Sequence, residues 1–484
     1  MQFSVIQRIL GIFLMVFSTA MLPPMLVSFI YLDGAFDSFL YAFIITLVAG
    51  ISIWLPVKHA KRELRLRDGF LVVVVFWFTL GLSGAIPFVI SPQLDMSFTD
   101  ALFESISGLT TTGATVIVGL DALPKSILYY RQQLQWFGGI GIIVIAVAIM
   151  PMLGIGGMQL YRAETPGPMK DSKLTPRITE TAKALWYIYL FLTVACALAY
   201  WGAGMTLFDA IGHSFATVAI GGFSTHDASM GFYNNMPMVE VVAIIFMLLA
   251  GVNFTLHFVA WRSRSLLNYF RDSEFKTYLT ILGIVSAITS FYLYYTDFFI
   301  EIDSAIISGV FQAVSIGTTT GFTTHEYHLW PGFLPVLLLF TSFIGACAGS
   351  TGGGIKVMRF TLLLKQGIRE IRRLVHPNAV ISIKVGGKPI SDRVIDAVWG
   401  FFAAYVAVFV VIMLILMLTG LDQISAFSAT AATMNNLGPG LYAVGSNYAG
   451  LEDVAKWVLC FAMLLGRLEI FTLLVLLSPT FWRR

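Results

Sequence analysis

Four stretches of this chain combine glycine with threonine, serine or asparagine inside otherwise apolar sequence: SGLTTTGAT (107–115), ATVAIGGFST (216–225), SIGTTTGFTT (315–324) and TMNNLGPGLY (433–442). Their chemistry lies in the backbone. Non-helical backbone at membrane depth is tolerated only where it is buried in protein or lines a water-filled cavity. Glycine allows φ values that turn successive carbonyls the same way, with no side chain crowding an axis. Four such loops around one axis would present a ring of carbonyl oxygens able to replace the hydration shell of a small cation. A single loop of this kind is explained as well by close helix packing through small residues. Four at matching positions are not: the shared glycine falls at Gly113, Gly222, Gly321 and Gly438, with spacings of 109, 99 and 117 residues.

The elements that must hold these loops are membrane helices. The chain has 484 residues, 57% of them hydrophobic and 12% charged, with a mean hydropathy of +0.81, which excludes an ordinary soluble domain. Apolar runs of spanning length are expected near 10–32, 38–57, 70–91, 136–157, 186–207, 238–260, 277–299, 334–358, 394–419 and 456–479. The first run continues to Leu32 without a small-residue cleavage site, so no cleavable signal is expected. Lys58–Arg67, Arg162–Arg177, Arg262–Lys276 and Lys356–Arg393 hold most of the Lys and Arg, whereas the alternate loops hold Lys125, Arg131 and Lys456; both termini are therefore expected inside. The net charge of +3 reflects this bias and gives no evidence for nucleic acid. Cys196, Cys347 and Cys460 lie in apolar runs and read as inert buried thiols.

Each shared glycine follows a stretch such as DALFESISGL or DAIGHSFATV, long enough for two or three helical turns and too short to cross. The expected fold is all-α and integral to the membrane: an N-terminal helix pair, then four helix–pore-helix–loop–helix repeats around a pseudo-fourfold pore. The boundaries are 1–68 for the pair, 69–180 and 181–272 for the first two repeats, 273–375 for the third with an intramembrane gating loop, and 376–484 for a cytoplasmic hairpin and the fourth. A pore helix that descends from outside aims its negative C-terminal end at the axis, which again favours cations.

The eighth run begins as helix at Leu334 but meets GACAGSTGGG (345–354) after about half a spanning length. Its glycines, each roughly 1 kcal/mol worse than alanine in a helix, predict a flexible intramembrane loop beneath the ring, the alternative being a helix that ends early near the cytoplasm. Arg467, in CFAMLLGRLEI, is too deep to snorkel and is the only obvious deep charge. Either it pairs with Glu469 or another acid in a structural role, or it projects into the pore and obstructs passage together with Gly345, Gly349, Ser350, Thr351, Gly352, Gly353 and Gly354.

GTTTGFTTHEYHLWPG, Gly221–Thr225, RQQLQWFGGIGI (131–142) and GACAGSTGGGIK (345–356) together resemble the membrane subunits of the Trk/Ktr/HKT potassium transport superfamily, and the extra N-terminal helix pair resembles its bacterial TrkH branch. The resemblance covers essentially the whole chain. It implies a potassium pore folded from one chain, a homodimer in the inner membrane, no covalently bound cofactor, and potassium as the transported ion. It implies filter positions at the shared glycine and just before it: Thr111, Thr112 and Gly113; Ile220, Gly221 and Gly222; Thr319, Thr320 and Gly321; Asn436, Leu437 and Gly438. It supports the gating role of Arg467, and it implies a ring-forming, nucleotide-binding cytoplasmic partner of the TrkA type. The fourth loop departs from the Thr-Thr-Gly-Phe pattern and Ala114 follows the first glycine, so the ring is expected to be uneven.

ISIKVGGKPIS (381–391) reads as a β-hairpin around Gly386–Gly387. With the loop Arg162–Arg177 it would form a docking face for that partner, the alternative being a plain connection. Three further signals are set aside. GSTGGGIK lacks the Gly-Lys-Ser/Thr ending and the preceding strand of a phosphate loop. Gly81-Leu82-Ser83-Gly84 would need His257 as a base to act as a membrane protease, and His325 with His328 supplies half a zinc site. A gated channel is favoured over a symporter, because inverted repeats and midplane ionisable residues mark the latter. Here all four repeats run the same way.

Overall fold

The computed structural model describes residues 1–60, 66–144 and 178–483. It is helical throughout apart from one hairpin, Lys384–Val385 paired antiparallel with Lys388–Pro389. Gly386 and Gly387 take φ of 54° and 79°, the two left-handed residues that a tight hairpin turn needs. The hairpin stands where the sequence places it. The loop 162–177, the other half of the expected docking face, lies outside the described residues.

The N-terminal pair is Phe3–Ser18, prolonged through Leu22–Tyr31, against Phe36–Trp54. Lipid tails are as apolar as leucine, so such helices associate by close packing at small residues. Gly11 and Gly50 provide it: a methyl group on Gly11 would stand 2.8 Å from Gly50 O, and one on Gly50 2.8 Å from Met15 N.

Four repeats follow. Their first helices are Leu66–Ile90, Ile178–Gly202, Ser273–Tyr295 and Asp392–Leu418. Their pore helices are Phe98–Leu109, Leu207–Val218, Ile302–Gly317 and Gln423–Met434. Three of them have twelve residues, about 18 Å of helix, and the third has sixteen, about 24 Å; all are too short to cross a bilayer. Two start in matching capping boxes, in which Ser97 Oγ accepts from Asp100 N and Thr206 Oγ1 accepts from Asp209 N, both at 3.1 Å.

The second helices depart from the expected spans. The run expected at 136–157 is described only to Val144, as part of Lys125–Val144. Where unbroken spans at 238–260 and 456–479 are expected, the structure has sharp bends, 92° between Pro237–Ala250 and Phe254–Ser263 and 116° between Asp453–Arg467 and Ile470–Leu477. Asn253 causes the first by restarting the chain as an N-cap, its side chain accepting from Thr255 N at 2.8 Å. At the second, Glu469 sits at φ 55°, a left-handed break that no helix interior accommodates. The third repeat breaks as expected: Leu334–Ile344 ends at Gly345, and Val357–Val375 resumes beyond the glycine-rich loop.

Both ends of the chain meet the segment around 58–68. Gln2 N donates to Asp68 Oδ1 at 3.1 Å, Arg8 Nη1 to Ala60 O at 2.6 Å, and Arg67 Nη1 to Arg483 O at 2.9 Å. The termini thus share one end of the molecule. Replacing Gly50 with leucine should force the first two helices apart and cost roughly 1–3 kcal/mol. Thermal unfolding of the purified protein checks this against Gly283→Leu, a helical glycine with open space around it that should leave the midpoint unchanged.

Candidate functional site

Every pore helix ends in the same way. The N–H groups of Thr112, Gly221, Thr320 and Leu437 donate five residues back, to Ser107, Ala216, Ser315 and Ala432 O, at 2.9, 2.8, 2.8 and 2.7 Å. The N–H groups of Thr111, Ile220, Thr319 and Asn436 donate three residues back, at 2.9, 3.1, 3.0 and 3.2 Å. This pair of bonds is the Schellman cap, whose left-handed position is usually glycine. Here that position holds Thr111, Ile220, Thr319 and Asn436, at φ of 51°, 55°, 69° and 53°. Left-handed β-branched residues cost of order 1–3 kcal/mol each and persist only when their surroundings hold them. All four side chains are buried. The shared glycines follow two residues on, at φ of 81°, 77°, 81° and 98°.

The four loops close on one another in order. A methyl group on Gly113 would run into Gly221 O, one on Gly222 into Thr320 O, one on Gly321 into Leu437 O, and one on Gly438 would lie 2.6 Å from Thr112 O. Each glycine therefore faces the carbonyl just before the glycine of the next repeat, and the fourth faces that of the first. All twelve residues expected at the filter come together in this ring. It is uneven, as the fourth loop suggests: Asn436 Nδ2 bridges to Thr112 Oγ1 and to Met463 O, each at 3.0 Å, while Pro439 Cδ packs against Gly321.

Behind the ring stands a polar brace. Gln135 Nε2 donates to Gly221 O at 2.5 Å and its Oε1 accepts from Phe223 N at 3.1 Å. Tyr448 Oη donates to Gly438 O at 2.7 Å. Arg131, placed in an outer loop by charge pattern alone, instead lies buried in Lys125–Val144. It meets the equally buried Glu104 of the first pore helix at 2.7 Å, donates to Ser224 O at 3.1 Å, and covers the Phe223 ring at 4.3 Å. Glu104 in turn accepts from Val116 N at 3.0 Å. This ion pair ties the first two loops together, so Arg467 is not the only deep charge. Its signal in the sequence was Glu104, the second of two acids in the first pore helix, and Arg131, a turn or two into the helix that follows. Above the ring opens a cavity of about 390 Å³, floored by the four glycines and rimmed by His226, Asp227, Glu326 and His328.

Directly beneath lies the loop between Gly345 and Lys356. Gly353 N donates to Thr319 Oγ1 at 2.7 Å and Gly354 N to Asn435 O at 3.1 Å. Thr351 Oγ1 donates to Val218 O, the end of the second pore helix, at 3.0 Å, and Ser350 Oγ donates to Cys347 O at 2.6 Å. Arg467 Nη1 donates to Thr351 O at 3.1 Å. Glu469, the alternative partner for Arg467, is taken by Arg359 at 2.9 Å. The loop thus packs against the underside of the ring, and Arg467 touches it.

The signals set aside earlier find ordinary explanations. His257 commits one ring nitrogen to Tyr269 Oη at 2.7 Å and the other to Leu249 O at 2.9 Å, leaving no base for Ser83. His325 Nδ1 rests on Thr324 Oγ1 at 3.2 Å, and no group of three metal-ligating side chains occurs among the described residues. The glycine-rich loop runs between two helices, with Lys356 Nζ folded back onto Gly352 O.

Four capped loops closing one ring inside a bundle of membrane-length helices define the class: a multi-pass integral membrane protein built around a central fourfold ring. The family model for TrkH, described as cation transport proteins, matches residues 36–484. The chain is 59% identical over 485 residues to the Trk system potassium uptake protein TrkH of Vibrio parahaemolyticus serotype O3:K6, covering 100% of both chains. It is 56% identical over 483 residues to the Trk system potassium uptake protein TrkH of Escherichia coli strain K12, again covering 100% of both. The crystal structure of the potassium transporter TrkH from Vibrio parahaemolyticus superposes with a TM-score of 0.93 and 56% identity, covering 100% of each chain. The chain belongs to the TrkH family of cation transport proteins.

Removing one partner of the buried pair strands the other charge. Arg131→Leu and Glu104→Leu should each cost roughly 3–5 kcal/mol, seen as a lower unfolding midpoint. Combining Arg131→Leu with Glu104→Leu should recover part of that loss; strictly additive losses would show that the two residues do not act as a pair.

Proposed function

We propose that this chain takes up potassium through a gated pore whose selectivity filter is the ring of four loops. The observation that carries the reading is the ordered closure of Gly113, Gly222, Gly321 and Gly438 on the carbonyls before their neighbours' glycines. In a ring built this way the potassium ligands are backbone oxygens of Thr111–Gly113, Ile220–Gly222, Thr319–Gly321 and Asn436–Gly438. Such oxygens replace water around the ion without a formal charge. Anions are repelled by the same oxygens and by the negative ends of four pore helices. The acidic rim residues Asp227 and Glu326 raise the local cation concentration at the mouth.

The gate is the loop 345–354 held by Arg467. A guanidinium beneath the ring opposes a cation on both steric and Coulombic grounds, and its bond to Thr351 O is a charge-assisted one. The two transport readings part here. A symporter moves its coupling ion through midplane ionisable residues, but the carboxylates beside the ring and the loop, Glu104 and Glu469, are already paired with Arg131 and Arg359, and the four repeats run in parallel. A channel is the better reading.

Regulation is assigned to a cytoplasmic, nucleotide-binding subunit of the TrkA type that docks on the hairpin, in a homodimer in the bacterial inner membrane with both termini inside. Support comes from packing: Ile383 and Val385 share a core with Met358 and Leu362 of the helix leading out of the loop, and with Ile395 and Val398 of the next. A protein bound to the hairpin would have leverage on that helix. Deleting 381–391 should abolish partner binding in a pull-down and make flux indifferent to the partner.

Flux into proteoliposomes with potassium, rubidium or sodium as the only permeant cation tests the whole reading. Potassium and rubidium should pass well above sodium without a proton or sodium gradient; flux that needs a second ion gradient would select symport instead. Arg467→Ala should raise flux in the absence of any regulator by roughly ten- to a hundredfold, the worth of a charged hydrogen bond at about 1.5–3 kcal/mol. Gly222→Ser, whose Cβ would meet Thr320 O, should lower potassium flux without unfolding the protein.

A further inference from the structure

After the bend at Gly251–Asn253, the helix Phe254–Ser263 runs at 92° to Pro237–Ala250, and the short helix Leu267–Arg271 follows it. A helix at a right angle to a spanning helix runs parallel to the membrane plane, and an amphipathic one suits the interface. The segment carries Trp261, Leu266 and Phe270, exposed by 67%, 74% and 60%, interleaved with the exposed cations Arg264, Arg271 and Lys276. Indole and phenyl rings rest at headgroup level, and cations beside them meet lipid phosphates. The exposed cations are complementary to an anionic leaflet.

The same segment also grips the loop beneath the ring. Phe254 N donates to Gly349 O at 3.1 Å and Cys347 N to Gly251 O at 3.0 Å. At the far end, Ala348 N donates to Glu274 Oε1 at 2.8 Å. Both ends of the surface segment are thus bonded to three successive residues of the loop, 347–349.

We propose that residues 254–276 form a binding site for the headgroups of anionic phospholipids, and that lipid held there keeps the loop 345–354 seated under the ring. A ligand that binds the seated arrangement better than the displaced one must favour it. The inference rests on the gate reading above and adds a regulator to it.

The test compares neutral vesicles with vesicles containing roughly one-third phosphatidylglycerol. Potassium flux through the wild-type protein should fall by roughly fivefold in the anionic vesicles, on the scale of one cation engaged at a charged surface. General surface charge acts with the opposite sign, because it concentrates potassium at the mouth and raises flux. The triple variant Arg264→Gln, Arg271→Gln, Lys276→Gln should lose the suppression and, by native mass spectrometry, retain fewer phosphatidylglycerol molecules. Should that variant fail to fold, Trp261→Ala, which keeps the cations, should weaken both effects. Equal lipid retention by wild type and variants overturns the site. Suppression reproduced in neutral vesicles by inorganic phosphate alone overturns the lipid as ligand. Lower retention with flux indifferent to lipid in every protein overturns the coupling to the loop, and Arg467→Ala flux then shows separately whether the loop gates at all.

Discussion

A carbonyl oxygen at the middle of a bilayer needs a donor, and the whole architecture depends on how that need is met. Helices meet it internally, which is why most of the chain is helical. At four places the chain leaves the helix at half depth and exposes oxygens to a central axis. Such oxygens are tolerable only if protein surrounds them on every other side. The pore helices, the polar brace around Gln135 and Arg131, and the closure of each loop on the next all serve that enclosure. Some of them find donors within the protein, as Gly221 O does in Gln135 and Gly438 O in Tyr448; on the function proposed above, a cation serves the rest.

The backbone at the ring is held in a conformation that its residues do not favour. A Schellman cap with glycine at its left-handed position would form more easily than one with Thr111, Ile220 or Thr319. Glycine there would also leave the loop free to relax. The β-branched residues fill the space behind the loop and make the strained shape the one that packs. On the function proposed above, stiffness of this kind suits a site that discriminates between ions of equal charge and different radius.

Much of this was legible in the sequence, because it is written in local composition. The shared glycines, the short amphipathic stretches before them and the glycine-rich break after Ile344 each announce themselves within a dozen residues. The bends at Asn253 and Glu469 did not. Their signals are one cap residue and one left-handed residue inside runs whose hydropathy is that of an ordinary span, and hydropathy is blind to direction. The pair of Glu104 and Arg131 was missed for a related reason. Charge counting assigns a lone arginine near a helix end to the adjacent loop, and only the packing of the first pore helix against the next helix reveals its partner. The contact of Arg467 was legible only as a choice of partners: Glu469 is held by Arg359, and Arg467 donates to Thr351 O in the glycine-rich loop.

Because the ring comes from one chain, its last joint is made between distant parts of it. Asn436 and Thr112, which share a hydrogen bond, are 324 positions apart. Synthesis from the N-terminus places three quarters of the ring in the membrane before the residues that seal it have left the ribosome. Until then the first and third loops each have one open flank, which lipid or an unfinished helix must cover. The ring is therefore first completed as the fourth repeat enters the bilayer, and the helix that carries Arg467, the second of that repeat, follows the loop that seals it.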